Sequence, residues 1–348
     1  MGRGAKYTET GPTQIGDNVW AFMWEPGSWG ETNTGVLVDP GAATMVLDTV
    51  WDTVRAEQIA AETAELVGDA PITEVINTHS DGDHWWGNDT VPADARITTS
   101  AASLHAMKEE TPPAGVDAFA TLGSLVRRVP GPVGAMGGYM NRIRGGAAFP
   151  RTRPRLPDHT FESTETITVG HRDVQLRFLG PAHTEGDLIA HVPDCGVVFT
   201  GDLLFIESTP VLWFGPLGNW IDALNHLISL DAAVYLPGHG PQCGVAEIRE
   251  LREYWLWVDA AGREQYKAGV GSATAARNML SSPEFRRFAH WDSPERLVLS
   301  MSTLYRLWHG EPAAPPTLAR RAKAFADAGS LLRAGGPTGV RLRRGYGR

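Results

Sequence analysis

Cysteine is scarce in this chain of 348 residues: there are two, Cys195 and Cys243. A pair so placed builds neither a disulfide framework nor a cysteine-based zinc cluster. A basic excess is missing as well. Lys and Arg number 31 against 40 Asp and Glu, a formal net charge of −9. Proteins that bind nucleic acid through phosphates normally carry the opposite balance. No apolar run approaches the roughly eighteen residues of a membrane span. The opening stretch MGRGAKYTETG has no apolar signal core, and Lys6 stands where a myristoylation signal wants Ser or Thr. The G-x-S-x-G turn of acyl-enzyme hydrolases does not occur, so a serine nucleophile is not indicated. These absences point to a cytoplasmic globular protein with a small-molecule partner, and away from nucleic acid and membrane. What is present fits: 42% apolar residues and 12 Trp argue against disorder. At about 150 residues per domain the length predicts roughly two domains, or one large domain with an appendage.

The first third reads as paired strands, VWAFMW, NTGVLVD and ATMVLDT, punctuated by Gly, Pro and Asn. A helix is expected from about Asp52 to Val67, with Val54, Ile59, Ala60 and Leu66 on its apolar face and Gly68 as its stop. ITEVINTH and ARITTS then read as strands and ASLHAMKEE as a short helix, so a mixed α/β sheet is predicted. From about Pro112 to Pro157 the pattern dissolves into a Gly- and Pro-rich stretch, which reads as a long functional or mobile loop, a lid over the site. Strands resume at TITVG, DVQLRFL, LIAHV and GVVFTGD. From Val245 onward the character is helical, and PTGVRLRRGYGR reads as a solvated basic tail. The division expected is therefore a catalytic domain over 1–244, carrying the insert at about 112–157, and a helical extension over 245–348.

The strongest chemical signal is NTHSDGDHWWGN, a strand running into a loop. It places His79, Asp81, Asp83 and His84 within a few residues of one another. Imidazole and carboxylate are ligands for zinc and iron. A polar turn with an Asp cap on the next helix is the plainer explanation of this segment taken alone. GPAHTEGD then presents His183, VVFTGD presents Asp202, and LPGHGP presents His239. Each lies where a strand ends and a Gly-bearing loop begins, so all can converge on one sheet edge. Any one of them is weak; together they are strong.

In these segments the chain resembles the metallo-β-lactamase-fold superfamily, from about Thr13 to Pro241. The family pattern is H-x-H-x-D-H, a later His in a Gly-His-Thr-like turn, an Asp in T/S-G-D, and a last His beside Gly. His79, Asp83, His84, His183, Asp202 and His239 match it residue by residue. The resemblance implies an αββα sandwich with a two-metal site at the strand ends. One ion would take His79, Asp81 and His183. The other would take Asp83, His84 and His239, with Asp202 bridging. Asp48, in VLDT, would support a ligand rather than be one. Asp81 departs from the pattern, because most of the family has His there. A carboxylate hardens the site toward iron or manganese relative to zinc. Being short, it also leaves open whether the first ion is held at all.

The function so implied is a metal-dependent hydrolase, in which a metal-bound hydroxide attacks an ester, thioester, lactone or amide of a small molecule. Asp83 is ligand and proton shuttle. The alternative is a non-haem di-iron oxygenase or oxidase on the same fold, motivated by Asp81. The cofactors are two divalent ions, zinc or iron, with manganese also compatible. Trp24, Trp29, Trp85, Trp86, Trp213 and Trp220 are core candidates first and cleft-lining candidates second. Arg127, Arg128, Arg142, Arg144, Arg151, Arg153 and Arg155 crowd the insert. They read as a solvated face, or more sharply as a surface for an anionic substrate or a carrier-protein thioester. A homo-oligomer remains open.

Overall fold

The computed structural model describes residues 11–25 and 29–334, so the basic tail lies outside the described residues. Seven strands form the first sheet in sequential order: β1 (Thr13–Gly16), β2 (Val19–Phe22), β3 (Thr34–Asp39), β4 (Ala43–Leu47), β5 (Ile72–Ile76), β6 (Arg96–Ser100) and β7 (His159–Phe161). The pairings through β4 are antiparallel; from β4 to β7 they are parallel. Helix α1 (Thr53–Val67) crosses from β4 to β5. Helices α2 (Ala101–Glu109), α3 (Pro113–Val126) and α4 (Pro132–Arg144) lie between β6 and β7.

The second sheet has the order β12-β11-β10-β9-β8, built from β8 (Thr164–Val169), β9 (Arg172–Phe178), β10 (Leu188–Val192), β11 (Val197–Phe205) and β12 (Val234–His239). Only its β11–β12 pair is parallel, joined by α5 (Leu217–Leu230). Strand β9 alternates buried and exposed residues, so one face is solvated, whereas VVFTGDLLF of β11 is buried throughout. The inner faces meet in one apolar cluster that includes Leu37, Met45 and Ile76 from the first sheet and Leu176, Val197 and Phe199 from the second. A Cβ on Gly35 would sit 2.3 Å from the Phe199 ring, so glycine is what lets the sheets approach there.

Helix α1 lies where the sequence predicts it. Asp52 caps it by accepting from Val54 N, and Gly68 ends it at φ 59°. Its buried face is Ala56, Ile59 and Thr63, while Val54 is 64% exposed. The insert differs more. In place of a loop there are α3 and α4, each with Pro in its first turn. Gly137, within it, and Gly329, in the C-terminal region, are contact points between helices. A Cβ on Gly137 would lie 2.3 Å from Gly123 O, and one on Gly329 2.2 Å from Ala135 O. The composition of a loop therefore serves close helix packing. Four of its arginines are spent on structure. Arg153 donates to the carbonyls of Met107, Lys108 and Glu110, and Arg155 to those of Pro92 and Ala95. Arg144 pairs with Asp117 at 2.9 Å, and Arg142 approaches Glu295 at 3.9 Å.

The C-terminal region is helical: α6 (Val245–Lys267), α7 (Ser272–Leu280), α8 (Leu297–Trp308) and α9 (Leu318–Arg333). These helices share one buried cluster with β11, α4 and α5, through residues such as Leu204, Tyr139, Trp220, Trp255, Leu304 and Phe325. Among the described residues no helix is long and apolar enough to cross a membrane.

Candidate metal centre

The strands β4, β5, β11 and β12 point their C-terminal ends to one edge of the sandwich, as expected for ligand sites in sheets of this kind. Each brings a polar residue: Asp48 after β4, His79 after β5, Asp202 within β11 and His239 closing β12. A short 3-10 turn, Gly82–His84, brings Asp83 and His84 back over the edge, and the loop between β9 and β10 supplies His183. Two glycines make room. A Cβ on Gly238 would fall 1.9 Å from Asp202 Oδ1, and Gly201, at φ 51°, would meet Thr78 Oγ1 at 2.5 Å.

All seven sequence-derived residues come together. Three overlapping groups have donor atoms within 4.8 Å of one another: His79, Asp81 and His183; Asp83, His84 and His239; and His79, His84 and Asp202. The Asp202 carboxylate is central. Its Oδ2 lies 3.3 Å from His183 Nε2, 3.3 Å from His239 Nε2 and 3.9 Å from His79 Nε2. Its Oδ1 lies 3.2 Å from His84 Nε2. Asp81 reaches the cluster, with Oδ2 3.2 Å from His183 Nε2. The histidines are buried, whereas the side chains of Asp81 and Asp83 are 36% and 14% exposed, so the cluster opens to solvent on the carboxylate side.

The far side of each imidazole is tied to an acceptor. His84 Nδ1 donates to Asp48 Oδ2 (2.8 Å), His183 Nδ1 to Val211 O (2.6 Å) and His239 Nδ1 to Glu31 O (3.1 Å). Thr78 Oγ1 gives its proton to Asp48 Oδ2, which leaves it to accept from His79 Nδ1 at 3.1 Å. Every ring is thereby held in the tautomer that turns an Nε2 lone pair inward, the arrangement of metal-binding histidines. His79 Nε2 is buried with no hydrogen-bond partner, an orphaned acceptor aimed into the cluster. The residues fit a divalent cation.

The electrostatics agree. Burial lowers a histidine pKa, but at His84 the charges of Asp202, Asp48 and Asp83 outweigh it and hold the ring well above its usual value. At His183 burial is likewise outweighed, by the Asp81 hydrogen bond and the Asp202 charge, and the pKa rises to about 9. At His79 burial wins, reinforced by His84, and the ring is held well below. Burial would raise the carboxylates, yet His239 and His84 hold Asp202 well below its usual range, and His183 brings Asp81 to about 2. Ionised carboxylates in excess over neutral imidazoles need a cation; protons on His84 and His183 balance what a metal ion would.

Several supporting residues carry no motif. Thr32 Oγ1 donates to Asp83 Oδ2 (2.8 Å), and Asn33 Nδ2 donates to the carbonyls of Pro237 and Gly240. The segment after β2 is thus pinned to the end of β12. Asp187 accepts from Thr184 N and Thr184 Oγ1 and fixes the His183 turn; its place in GPAHTEGD was the available signal. Asn88 Oδ1 accepts from Thr49 Oγ1 and Asn77 Nδ2 under the turn that holds His84.

Half of the twelve tryptophans are buried, and Trp24, Trp29 and Trp213 are not among them. Trp85 and Trp220 are almost wholly buried and donate to Ser80 O and Leu203 O, and Trp86 is 3% exposed. Trp29 and Trp213 are only partly buried and lie 6.2 Å apart. They stand beside the cluster, because Trp213 N donates to His183 O and Trp29 precedes Glu31 by two residues.

A family model described as the metallo-beta-lactamase superfamily matches residues 27–239. The chain belongs to the metallo-β-lactamase superfamily. Hydroxyacylglutathione hydrolase from Synechococcus sp. (strain JA-3-3Ab) is 24% identical over 288 residues, 80% of this chain and 86% of that relative. The stereoselective inverting sec-alkylsulfatase Pisa1 from Pseudomonas sp. superposes with a TM-score of 0.62 at 14% identity, over 93% of this chain and 50% of that one. This chain therefore spans about half the length of the sulfatase. A metallo-β-lactamase from Pontibacter korlensis gives a TM-score of 0.49 at 18% identity, over 70% of this chain and 98% of that one. The sulfatase likeness shows the fold, the superfamily's two mixed sheets with flanking helices. Family and curated relative together support a hydrolase.

Proposed function

We propose that the protein is a metal-dependent hydrolase of a small-molecule carbonyl ester or thioester. His79, Asp81 and His183 would hold one divalent ion and Asp83, His84 and His239 a second, with the Asp202 carboxylate within reach of both groups. The observation that carries this reading is the set of Nδ1 hydrogen bonds that turns four Nε2 atoms toward one carboxylate. The donor set of imidazole nitrogen and carboxylate oxygen suits zinc, iron or manganese. Such ions, when bound, polarise a carbonyl oxygen and bring the pKa of a water close to about 7.

This chain's residues supply the remainder. Asp83 is the partly exposed carboxylate between His84 and His239, anchored by the Thr32 hydroxyl. It is the group to take a proton from the attacking water and pass it to the leaving group. Asp48, Glu31 and Val211 keep the imidazoles oriented through the reaction. Trp29 and Trp213 give the apolar part of the substrate a wall beside His183. The curated relative is named for hydrolysing a hydroxyacylglutathione, which supports an acyl substrate.

Asp81 supports a second reading, a di-iron oxygenase or oxidase, because a carboxylate favours iron at that position. The test is elemental analysis of protein expressed without added metal, with turnover on a panel of esters, thioesters, lactones and amides. Two equivalents of metal and turnover on an ester or thioester are the expected result. Folded, metal-free protein, or a fully loaded protein inert on every panel class, would overturn the hydrolase. Bound iron with a charge-transfer band, and activity lost on substitution by redox-silent zinc, would select the oxygenase.

A further inference from the structure

An aromatic wall adjoins His183. Trp213 N and Phe214 N both donate to His183 O at 3.1 Å, so their loop is fixed to the backbone of one proposed ligand. Helix α8 holds this loop from behind: Leu212 N donates to Ser300 Oγ, and Thr303 Oγ1 to Trp213 O. The Trp213 ring lies 6.2 Å from Trp29 and 6.3 Å from Phe325 of α9. Phe325 is buried, whereas Trp29 and Trp213 keep part of their surface exposed.

One cation stands on this wall. The guanidinium of Arg321, also on α9, lies over the Trp213 ring, 5.3 Å from its centroid. Arg321 is exposed, and among the described residues no carboxylate forms an ion pair with it. The other cations of α9 have protein acceptors. Arg320 pairs with Glu311, Lys323 with Asp327, and Arg333 donates to the carbonyls of Arg127 and Val129. Stacking on an aromatic face holds a guanidinium without using its N–H groups, which stay available to an anion.

Arg321 also faces the carboxylate side of the cluster. Glu110 accepts from Trp86 Nε1, and a Cβ on Gly82 would fall 2.2 Å from the Trp86 ring, so Glu110 borders the turn that carries Asp81 and Asp83. Burial raises the Glu110 pKa to about 8; the charges of Asp81 and Asp83 add to the rise, and Arg321 works against it. Glu110 is thus uncharged at neutral pH and does not neutralise the guanidinium.

We propose that Arg321 binds a carboxylate of the substrate, so that the substrate class is an ester or thioester whose apolar body carries an anionic group. The body lies along Trp213, with its reacting carbonyl at the metal centre. The planar fork of Arg suits a carboxylate, and the aromatic face beneath suits the apolar body. This inference rests on the hydrolase reading.

The test compares 3- and 4-acetoxybenzoate with their methyl esters on metal-loaded full-length protein. Each pair differs by one carboxylate on the same aryl body. KM should be about fivefold lower for at least one acid than for its methyl ester. Raising salt from about 20 to about 300 mM should narrow that gap. Arg321→Met should abolish the preference, and Arg321→Lys should keep most of it. Arg320→Met removes the neighbouring charge and should keep the preference in full. No preference in the parent protein, a preference that survives Arg321→Met, or an equal loss in Arg320→Met overturns the subsite. A protein inert on all four esters defeats the hydrolase reading instead. Calorimetric titration of terephthalate and its monomethyl ester into the parent and Arg321→Met proteins then decides the subsite. The same fivefold ratio, lost in the variant, supports it, and equal affinities in the parent overturn it.

Discussion

At the scale of single residues, Asp202 and Glu110 give the sharpest expectations. Asp202 is within 3.9 Å of all four imidazole Nε2 atoms, so it is the carboxylate central to the cluster. Asp202→Asn should therefore lower metal content, read by elemental analysis, further than His183→Ala or His239→Ala does. Normal stoichiometry in the variant would remove the bridging role. Glu110 ends α2, where its Oε2 accepts from Trp86 Nε1 at 3.3 Å. Burial, with the Asp81 charge behind it, pushes its carboxyl up to about 8. The folded protein then holds a proton that the unfolded chain releases near 4.5, so stability should fall as pH rises from about 4.5 to about 8. In Glu110→Gln that decline should flatten, seen as a smaller drop in Tm across the window than in the parent protein. Parallel Tm curves would show that Glu110 ionises normally.

At the scale of elements, the helices of the insert show how composition misleads. Gly123, Gly134, Gly137 and Gly138, with two prolines nearby, read as punctuation in one dimension. In three dimensions Gly137 sits at the crossing of α3 and α4, and Gly329 where α9 meets α4. Gly137→Ala places a methyl against Gly123 O, and overpacking of this kind costs about 1–3 kcal/mol. The helical propensity of Ala, worth about 1 kcal/mol over Gly, works against that loss. A net destabilisation in urea unfolding is expected because the close atom is backbone and cannot swing away. A variant more stable than the parent would mean that the two helices are free to separate. The strand ends behave in the opposite way. Their chemistry lay in motifs, and β-strand periodicity with Gly-bearing turns was enough to place His79, Asp202 and His239 on one edge.

At the scale of the whole molecule, one buried cluster joins α4, β11, α5 and the helices from α6 to α9. The proposed metal centre includes Asp202, on β11, so ions bound there would stabilise the fold by mass action. An ion at about 100 times its Kd adds about 2.7 kcal/mol. Removing metal with a chelator should accordingly lower Tm and abolish turnover together, and restoring zinc or manganese should recover both. A metal-free protein with unchanged Tm would place the cluster outside the folding equilibrium.

Much of this protein is determined by its sequence alone, because the determinants are local. Ligand types cluster in NTHSDGDHWWGN, GPAHTEGD, VVFTGD and LPGHGP, and strand alternation with turn residues sets where each loop emerges. The α/β class, the seven residues of the cluster and the helical C-terminal region follow from those features. Other features were decided only by tertiary contact. Thr32 finds Asp83 across 51 residues, and Asn33 finds Pro237 across 204. Such partners have no signature, since a Thr or Asn in a loop is ordinary until the fold brings an acceptor to it. Asp81 posed a question of reach that the chain could not answer; the turn through Gly82 brings its carboxylate to His183. The helical character of the insert was hidden for the same reason: glycine weakens a helix in isolation and is favoured only where another backbone presses close. Local chemistry is written in order along the chain, whereas close approach depends on residues far apart in it.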